Sequence, residues 1–104
     1  MNLLPHISFA IMLALSRRSA HGYQIKNLIE LDSSGAITCG AGALYSAIKR
    51  LQIDNLIEEI PRHSQSDRRR CYRLTKKGWN RLKNDTAYYQ KIVELTKQRP
   101  VSFF

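Results

Sequence analysis

The sequence has few cysteines, and the two it has do not form a recognisable site. Cys39 and Cys71 are isolated from each other, with no CxxC pair and no His–Cys spacing. That pattern argues against zinc. Two such cysteines in a chain with no convincing export signal are typical of reduced thiols, so we expect a cytoplasmic protein.

Acidic residues are also scarce, since the chain has only eight Asp and Glu, most of them beside cationic residues. No arrangement suggests a nucleophile with its base, and the three histidines lie in separate segments without a nearby metal ligand: His6, His21 and His63. Residues 40–42 begin like a dinucleotide fingerprint, but Tyr45 occupies the place of the third glycine. We expect no enzyme activity, no metal and no cofactor.

No apolar run is long enough to cross a membrane. The stretch from Leu3 to Leu15 is too short for a bilayer. Arg17 and Arg18 follow it and no cation precedes it, which reverses the charge order of a signal peptide. We interpret it as a buried helix beginning near Pro5. Because this helix is apolar on nearly all sides, we expect part of it to pack on a second subunit.

Positive charge is abundant and unevenly placed. The formal net charge is +9, and residues 1–48 contain three cationic and two acidic residues. Residues 49–104 contain fourteen cationic and six acidic residues. This clustering favours a polyanionic partner, usually nucleic acid, although solubility alone is the simpler alternative.

The stretch from Thr38 to Leu56 predicts a helix with two different faces. Leu44, Ile48 and Leu51 recur at helical spacing on one face. The other face is polar and carries Tyr45, Ser46, Lys49 and Arg50. A small core can hold such a helix while its outer face enters a DNA groove. An ordinary amphipathic surface helix is the alternative.

The flanking segments predict a winged helix-turn-helix. A second helix opens at His21-Gly22, and two short strands at 56–60 and 70–74 enclose a polar basic loop. Thr75 is expected to cap a long helix that runs to about Gln98. The arginine run 68–70 at the hairpin would place guanidinium groups on phosphates or in a narrow minor groove.

This element order predicts a mainly α (α+β) fold, with a winged-helix domain over residues 1–74 and a dimerisation helix and tail over 75–104. The last helix is longer than the domain's own core requires, so we expect a homodimer through the terminal helices. The residues expected in the dimer interface are Ile7, Ile11, Leu82, Tyr89, Ile92 and Val93.

Four segments together resemble the PadR family of bacterial transcriptional regulators over about residues 3–80. They are residues 21–25 (HGYQI), 42–51 (GALYSAIKRL), 55–57 (NLI) and 70–78 (RCYRLTKKG). A single C-terminal helix is similar to the short subgroup of that family. Members usually carry Ser-Pro-Gly-Thr-Leu-Tyr-Pro where this chain has GAGALYS at 40–46, so two hydroxyl contacts to phosphate are missing here.

The resemblance implies a homodimeric DNA-binding regulator, most often a repressor, on a pseudo-palindromic operator. The expected contacts to double-stranded DNA are Tyr23, Gly42, Tyr45, Ser46, Lys49, Arg68, Arg69 and Arg70. The start of the second helix, at residues 21–23, would face phosphate. For Tyr23 and Tyr45, a core position with only the hydroxyl emerging is equally open.

Two further interpretations concern partners. Similar regulators release DNA when a small aromatic effector binds near the dimer interface, and Trp79, Tyr88 and Tyr89 are candidates to stack on one. Core or interface packing is the alternative role for these three. In a different class, a winged helix can serve as a protein-interaction adaptor, but an adaptor does not need arginines clustered at a hairpin tip.

Overall fold

The computed structural model describes residues 2–61 and 69–99, and within these residues it contains four helices and three short strands. In chain order they are α1 (His6–Arg17), β1 (Ala20–His21), α2 (Gly22–Asp32), α3 (Ala41–Ile53), β2 (Ile57–Ile60), β3 (Cys71–Leu74) and α4 (Lys76–Lys97). The predicted winged helix with a long last helix is confirmed. None of the described helices is long and apolar enough to cross a membrane.

The sheet is antiparallel with β3 in the middle, in the order β1-β3-β2. Ile57 pairs with Leu74 and Ile60 with Cys71, which forms the predicted hairpin, called the wing below. Strand β1 was not predicted, because two residues are too few to show a strand's alternation. It pairs His21 with Cys71 and so fixes the start of α2 to the wing.

Helix α1 lies at the centre of the hydrophobic core, where α2, α3, α4 and β3 pack around it. Ile11 and Met12 have no exposed surface. The domain itself therefore covers most of the helix that was expected to need a second subunit. Leu13 remains exposed, and Phe9 is partly buried against the core.

Helix α3 buries the predicted stripe of Leu44, Ile48 and Leu51. Gly40 is its N-cap residue and supplies no side-chain cap, as the missing Ser implies. After the helix, Asn55 adopts a left-handed conformation with φ of 60°, which asparagine tolerates better than most residues. The chain then enters the wing directly.

Helix α4 begins at the predicted cap. The Thr75 hydroxyl accepts a hydrogen bond from the Gly78 N–H at 2.9 Å and donates one to the Asn55 carbonyl at 2.6 Å. Leu82 and Asp85 are buried, whereas the side chains from 87 to 99 are all exposed. With 22 residues, the helix is roughly 33 Å long and its second half projects beyond the core.

Asp85 is a buried carboxylate that joins the two ends of the fold, with only 1% of its surface exposed. Its Oδ2 accepts a hydrogen bond from the Leu4 N–H at 3.0 Å, and its Oδ1 accepts one from Arg81 Nε–H at 3.1 Å. Arg81 also donates to the Asn2 carbonyl. The carboxylate thus holds the segment before α1 against α4.

Candidate nucleic-acid interface

The outer face of α3 carries four of the predicted DNA contacts. Gly42, Tyr45, Ser46 and Lys49 are all exposed, and their spacing of three to four residues puts them on one side of the helix. The structure therefore brings these residues together on a surface that the core leaves free. A helix presented in this way can enter a major groove with its polar groups on the base edges.

The two tyrosines of this region lie outside the core. Tyr23 is 65% exposed and Tyr45 is 52% exposed. Neither ring is therefore buried in the core with only its hydroxyl emerging, which was the alternative for both residues. The Tyr45 ring packs on the first residue of α2, where a Cβ on Gly22 would lie 2.6 Å from the Tyr45 hydroxyl oxygen. The two helices of the helix-turn-helix therefore touch through this ring and this glycine.

His21 joins α2 to the wing. As the N-cap residue, it accepts the Gln24 N–H on Nδ1 at 3.3 Å, and Gln24 Oε1 accepts the His21 N–H at 3.1 Å. This is a capping box with histidine in the place of Ser or Thr. On the other side of the ring, Arg69 Nη1 lies 3.1 Å from His21 Nε2. The imidazole is buried between the helix start and the hairpin.

A cavity of about 320 Å³ opens where α2, α3 and the wing meet, and we call it the α2–wing cavity. It is lined by His21, Tyr23, Tyr45, Arg69, Arg70 and Tyr72. Guanidinium, imidazole and phenol groups are the side chains that donate hydrogen bonds to phosphate oxygens. The cavity therefore has the chemistry of an anion site beside the exposed face of α3.

Tyr72 and Arg70 line this cavity from the wing. Burial raises the pKa of the Tyr72 phenol above its usual value, and the nearby Glu59 carboxylate raises it further, while Arg70 acts in the opposite direction. Arg70 Nε lies 3.9 Å from Glu59 Oε1, so part of its charge is balanced within the wing.

Sequence reasoning missed Tyr72 and the capping role of His21. The alternation in β3, where Tyr72 and Leu74 point inward and Arg73 outward, was available as a signal for Tyr72. Of the arginine run, Arg69 and Arg70 are exposed at the base of the wing. The prediction for Arg68 lies outside the described residues.

The residues predicted for the dimer interface fall into two groups. Tyr89, Ile92 and Val93 are exposed on the projecting half of α4. Ile11 and Leu82 are instead buried in the core of the protomer, with 0% and 6% of their surface exposed. Ile7 is partly buried against the same core. A helical stripe indicates which side is apolar without indicating what covers it, and here the domain's own elements cover these positions.

A groove of about 530 Å³ runs between α1 and the projecting half of α4. This α1–α4 groove is lined by Phe9, Leu13, Thr86, Tyr89, Gln90, Val93, Glu94 and Lys97. The rings of Phe9 and Tyr89 meet edge to face with centroids 5.1 Å apart. The groove is therefore largely apolar, with its charged groups towards the end of α4.

The three aromatic residues considered for an effector are not brought together. Tyr89 lines the α1–α4 groove. Tyr88 contacts the Tyr89 ring, with 5.8 Å between the ring centroids, but does not line the groove. Trp79 lies ten residues earlier on α4, about 15 Å along the axis. Among the residues that the structure describes, no group of three His, Cys, Asp or Glu is placed to hold a metal ion.

Comparisons with known proteins agree with this architecture. The model of the Transcriptional regulator PadR-like family matches residues 11–84. A comparison with curated proteins gives no match. Among solved structures, the chain is similar to a PadR family transcription regulator from Clostridium difficile, with 25% identity over 90% of this chain and 97% of that chain and a TM-score of 0.76.

Two other solved structures resemble the chain closely in fold. A PadR-like transcription factor from Bacteroides fragilis is 26% identical over 88% of this chain and 87% of that chain, with a TM-score of 0.74. A transcriptional regulator from Clostridium thermocellum is 21% identical over 92% and 91% of the two chains, with a TM-score of 0.78. At that identity the last comparison speaks for the fold alone.

Proposed function

The chain belongs to the PadR-like family of transcriptional regulators, and we propose that it is a homodimeric repressor of a pseudo-palindromic operator. Proteins of this family regulate transcription and are not enzymes. The observation that carries the proposal is the exposed polar row on α3 beside the basic α2–wing cavity. One surface thereby presents groups for base edges and groups for phosphates, the two kinds of contact that sequence-specific binding requires.

In this proposal, α3 enters the major groove. Tyr45, Ser46 and Lys49 face the base edges or the phosphates that border them. Gly42 has open space around its Cβ position, so the backbone at the start of α3 is free to approach a phosphate closely. Because Gly42 has no side chain, nothing at this position would separate the backbone N–H groups of the helix from the DNA.

The start of α2 and the wing hold the flanking backbone. Tyr23 and the α2–wing cavity receive a phosphate of the DNA backbone. The arginines at 68–70 contact further phosphates along the same DNA strand or enter the minor groove. Glu59 balances part of the charge of Arg70. Arg69 and Arg70 both line the cavity that would receive the phosphate. These contacts give affinity and register, while α3 gives sequence preference.

The dimer is proposed to form through the projecting half of α4 and the α1–α4 groove. Five exposed apolar side chains lie close together on α4: Tyr88, Tyr89, Ile92, Val93 and Leu95. Phe9 and Leu13 extend this surface on α1, and they replace Ile11 and Leu82, which the protomer buries itself. In a two-fold dimer that binds successive major grooves, the two α3 helices would lie about one DNA turn apart.

A small aromatic effector is proposed to bind near the dimer interface, in the part of the α1–α4 groove that the partner subunit leaves open. The groove volume of about 530 Å³ is within the range of small-molecule sites. Tyr89 offers a ring for stacking next to Phe9. Trp79 and Tyr88 do not line the groove, so Tyr89 alone of the three candidates is retained. An effector that alters the packing of α1 on α4 would alter the distance between the two α3 helices.

The dimer has a matched test in two exposed isoleucines. Changing Ile92→Asp should give a monomer, because a carboxylate in an apolar interface has no partner. Ile53→Asp places the same charge on an exposed isoleucine at the end of α3, and that variant should remain a dimer. Light scattering at micromolar concentration measures both, and an unmodified protein that is monomeric there would contradict the proposal.

The DNA proposal is tested on a lysine of α3. Lys49→Ala should lose about 1–3 kcal/mol of binding free energy on a duplex selected by the unmodified protein, and less on a scrambled duplex. Lys83→Ala, at an exposed lysine of α4 outside the proposed interface, is the control. Equal losses on both duplexes would make Lys49 a phosphate contact, and no loss on either would contradict the proposed orientation of α3.

A further inference from the structure

At two of the five glycines, an added Cβ would collide with another part of the chain, and the colliding atoms differ in kind. A Cβ on Gly78 would lie 2.0 Å from the Leu56 carbonyl oxygen, which belongs to the backbone and cannot move far. A Cβ on Gly22 would lie 2.6 Å from the Tyr45 hydroxyl oxygen and 2.8 Å from two ring carbons. At Gly22 the obstacle is the far end of a side chain that can rotate away.

The backbone itself does not require glycine at position 22. Gly22 is the first residue of α2, and Gly35 is the one glycine of the chain with a positive φ. Alanine is a better helix former than glycine, so the helix would favour a side chain at this position. What the missing side chain provides is room for the Tyr45 ring.

We propose that Gly22 is a positioning residue for DNA recognition, because it seats the Tyr45 ring at the border between α3 and the α2–wing cavity. The inference rests on the proposed DNA-binding function. One edge of the ring lies on Gly22 while half of its surface stays exposed. A ring already held in place loses less rotational freedom when DNA binds, which increases affinity.

The substitution Gly22→Ala separates this role from a structural one. The added methyl cannot occupy the space of the phenol, so the ring must shift by about 1 Å or rotate into solvent to restore an ordinary van der Waals distance. The backbone tolerates the change, and the melting temperature should be unchanged or slightly higher. A loss of DNA binding at full stability is therefore the signature of positioning.

A double-mutant cycle with Tyr45 tests the proposal. On a duplex selected by the unmodified protein, Gly22→Ala should weaken binding about three- to tenfold. Once Tyr45→Ala has removed the ring, adding Gly22→Ala should cost nothing more, because the methyl then has room. Tyr45→Phe keeps the ring and shows how much of the contact belongs to the hydroxyl.

The outcomes distinguish this inference from the function on which it rests. Unchanged binding by Gly22→Ala would overturn the positioning role. An equal loss in the Tyr45→Ala background would overturn it too, since the glycine would then be needed by the DNA and not by the ring. Nuclear Overhauser contacts between the Gly22 α-protons and the Tyr45 ring in the free protein test the seat without DNA. If they are seen but no duplex is bound, the DNA-binding proposal has failed while the ring contact stands; if they are absent, the inference itself fails.

Discussion

Replacing Gly78 by alanine should be one of the most damaging single-methyl changes in this fold. Gly78 lies in the first turn of α4, and a Cβ there would lie 2.0 Å from Leu56 O and 3.0 Å from the carbonyl carbon. That oxygen also accepts the Thr75 N–H at 3.1 Å, so the same carbonyl connects the start of the wing to the start of α4. Leu56 is buried, with 2% of its surface exposed.

The magnitude follows from the displacement. The carbonyl or the helix must move by about 1 Å or more, and such overpacking costs about 1–3 kcal/mol. The movement also breaks the Thr75 hydrogen bond and leaves a buried acceptor unsatisfied, at about 1–3 kcal/mol. The gain from a less flexible unfolded chain offsets only about 0.4–1 kcal/mol. The free energy of unfolding should therefore fall by about 1–5.5 kcal/mol, to be compared with the roughly 5–15 kcal/mol typical of a domain.

Urea unfolding followed by circular dichroism measures this change. The protein concentration is kept fixed because the stability of the proposed dimer would depend on it. Gly42→Ala is the control, since its Cβ would enter open space within a helix. That variant should be as stable as the unmodified protein or slightly more so. A Gly78→Ala protein within about 0.5 kcal/mol of the unmodified one would refute the reasoning.

Three further changes test other parts of the structure. Asp85→Ala should lower the free energy of unfolding by about 3 kcal/mol in the same urea assay, because it leaves the partners of a buried carboxylate unpaired. His21→Ala should cost about 1 kcal/mol through loss of the α2 cap, whereas His21→Asn, which can still cap, should cost less. Changing Arg69 and Arg70 together to alanine should reduce the log–log salt slope of DNA binding by about 0.9 per lost phosphate contact, while Lys83→Ala leaves the slope unchanged.

Local patterns in the sequence predicted most of the helices and strands, because these patterns arise from residues that are close together in the chain. The helical spacing of Leu44, Ile48 and Leu51 gave the buried face of α3, and by elimination its exposed face. Thr75 indicated the start of α4. These signals are short in range, so the sequence reveals them directly.

The features that were missed depend on contacts between distant segments. His21 and Arg69 are separated by 48 positions, and Leu4 and Asp85 by 81. Strand β1 exists only because β3 is beside it. For each of these contacts, the residues that neighbour one partner in the sequence do not indicate the other partner. Which elements cover Ile11 was likewise hidden, because periodicity does not distinguish a partner subunit from the domain's own helices.

Equilibrium binding of the unmodified protein to DNA tests the central claim most directly. The measurement compares a duplex from the protein's own upstream region with a scrambled duplex of the same length and composition, at one salt concentration near physiological. A sequence-specific regulator should bind the first about 10³-fold more tightly or better. The same affinity for both duplexes, or binding to neither, would contradict the proposal that α3 reads an operator in that region.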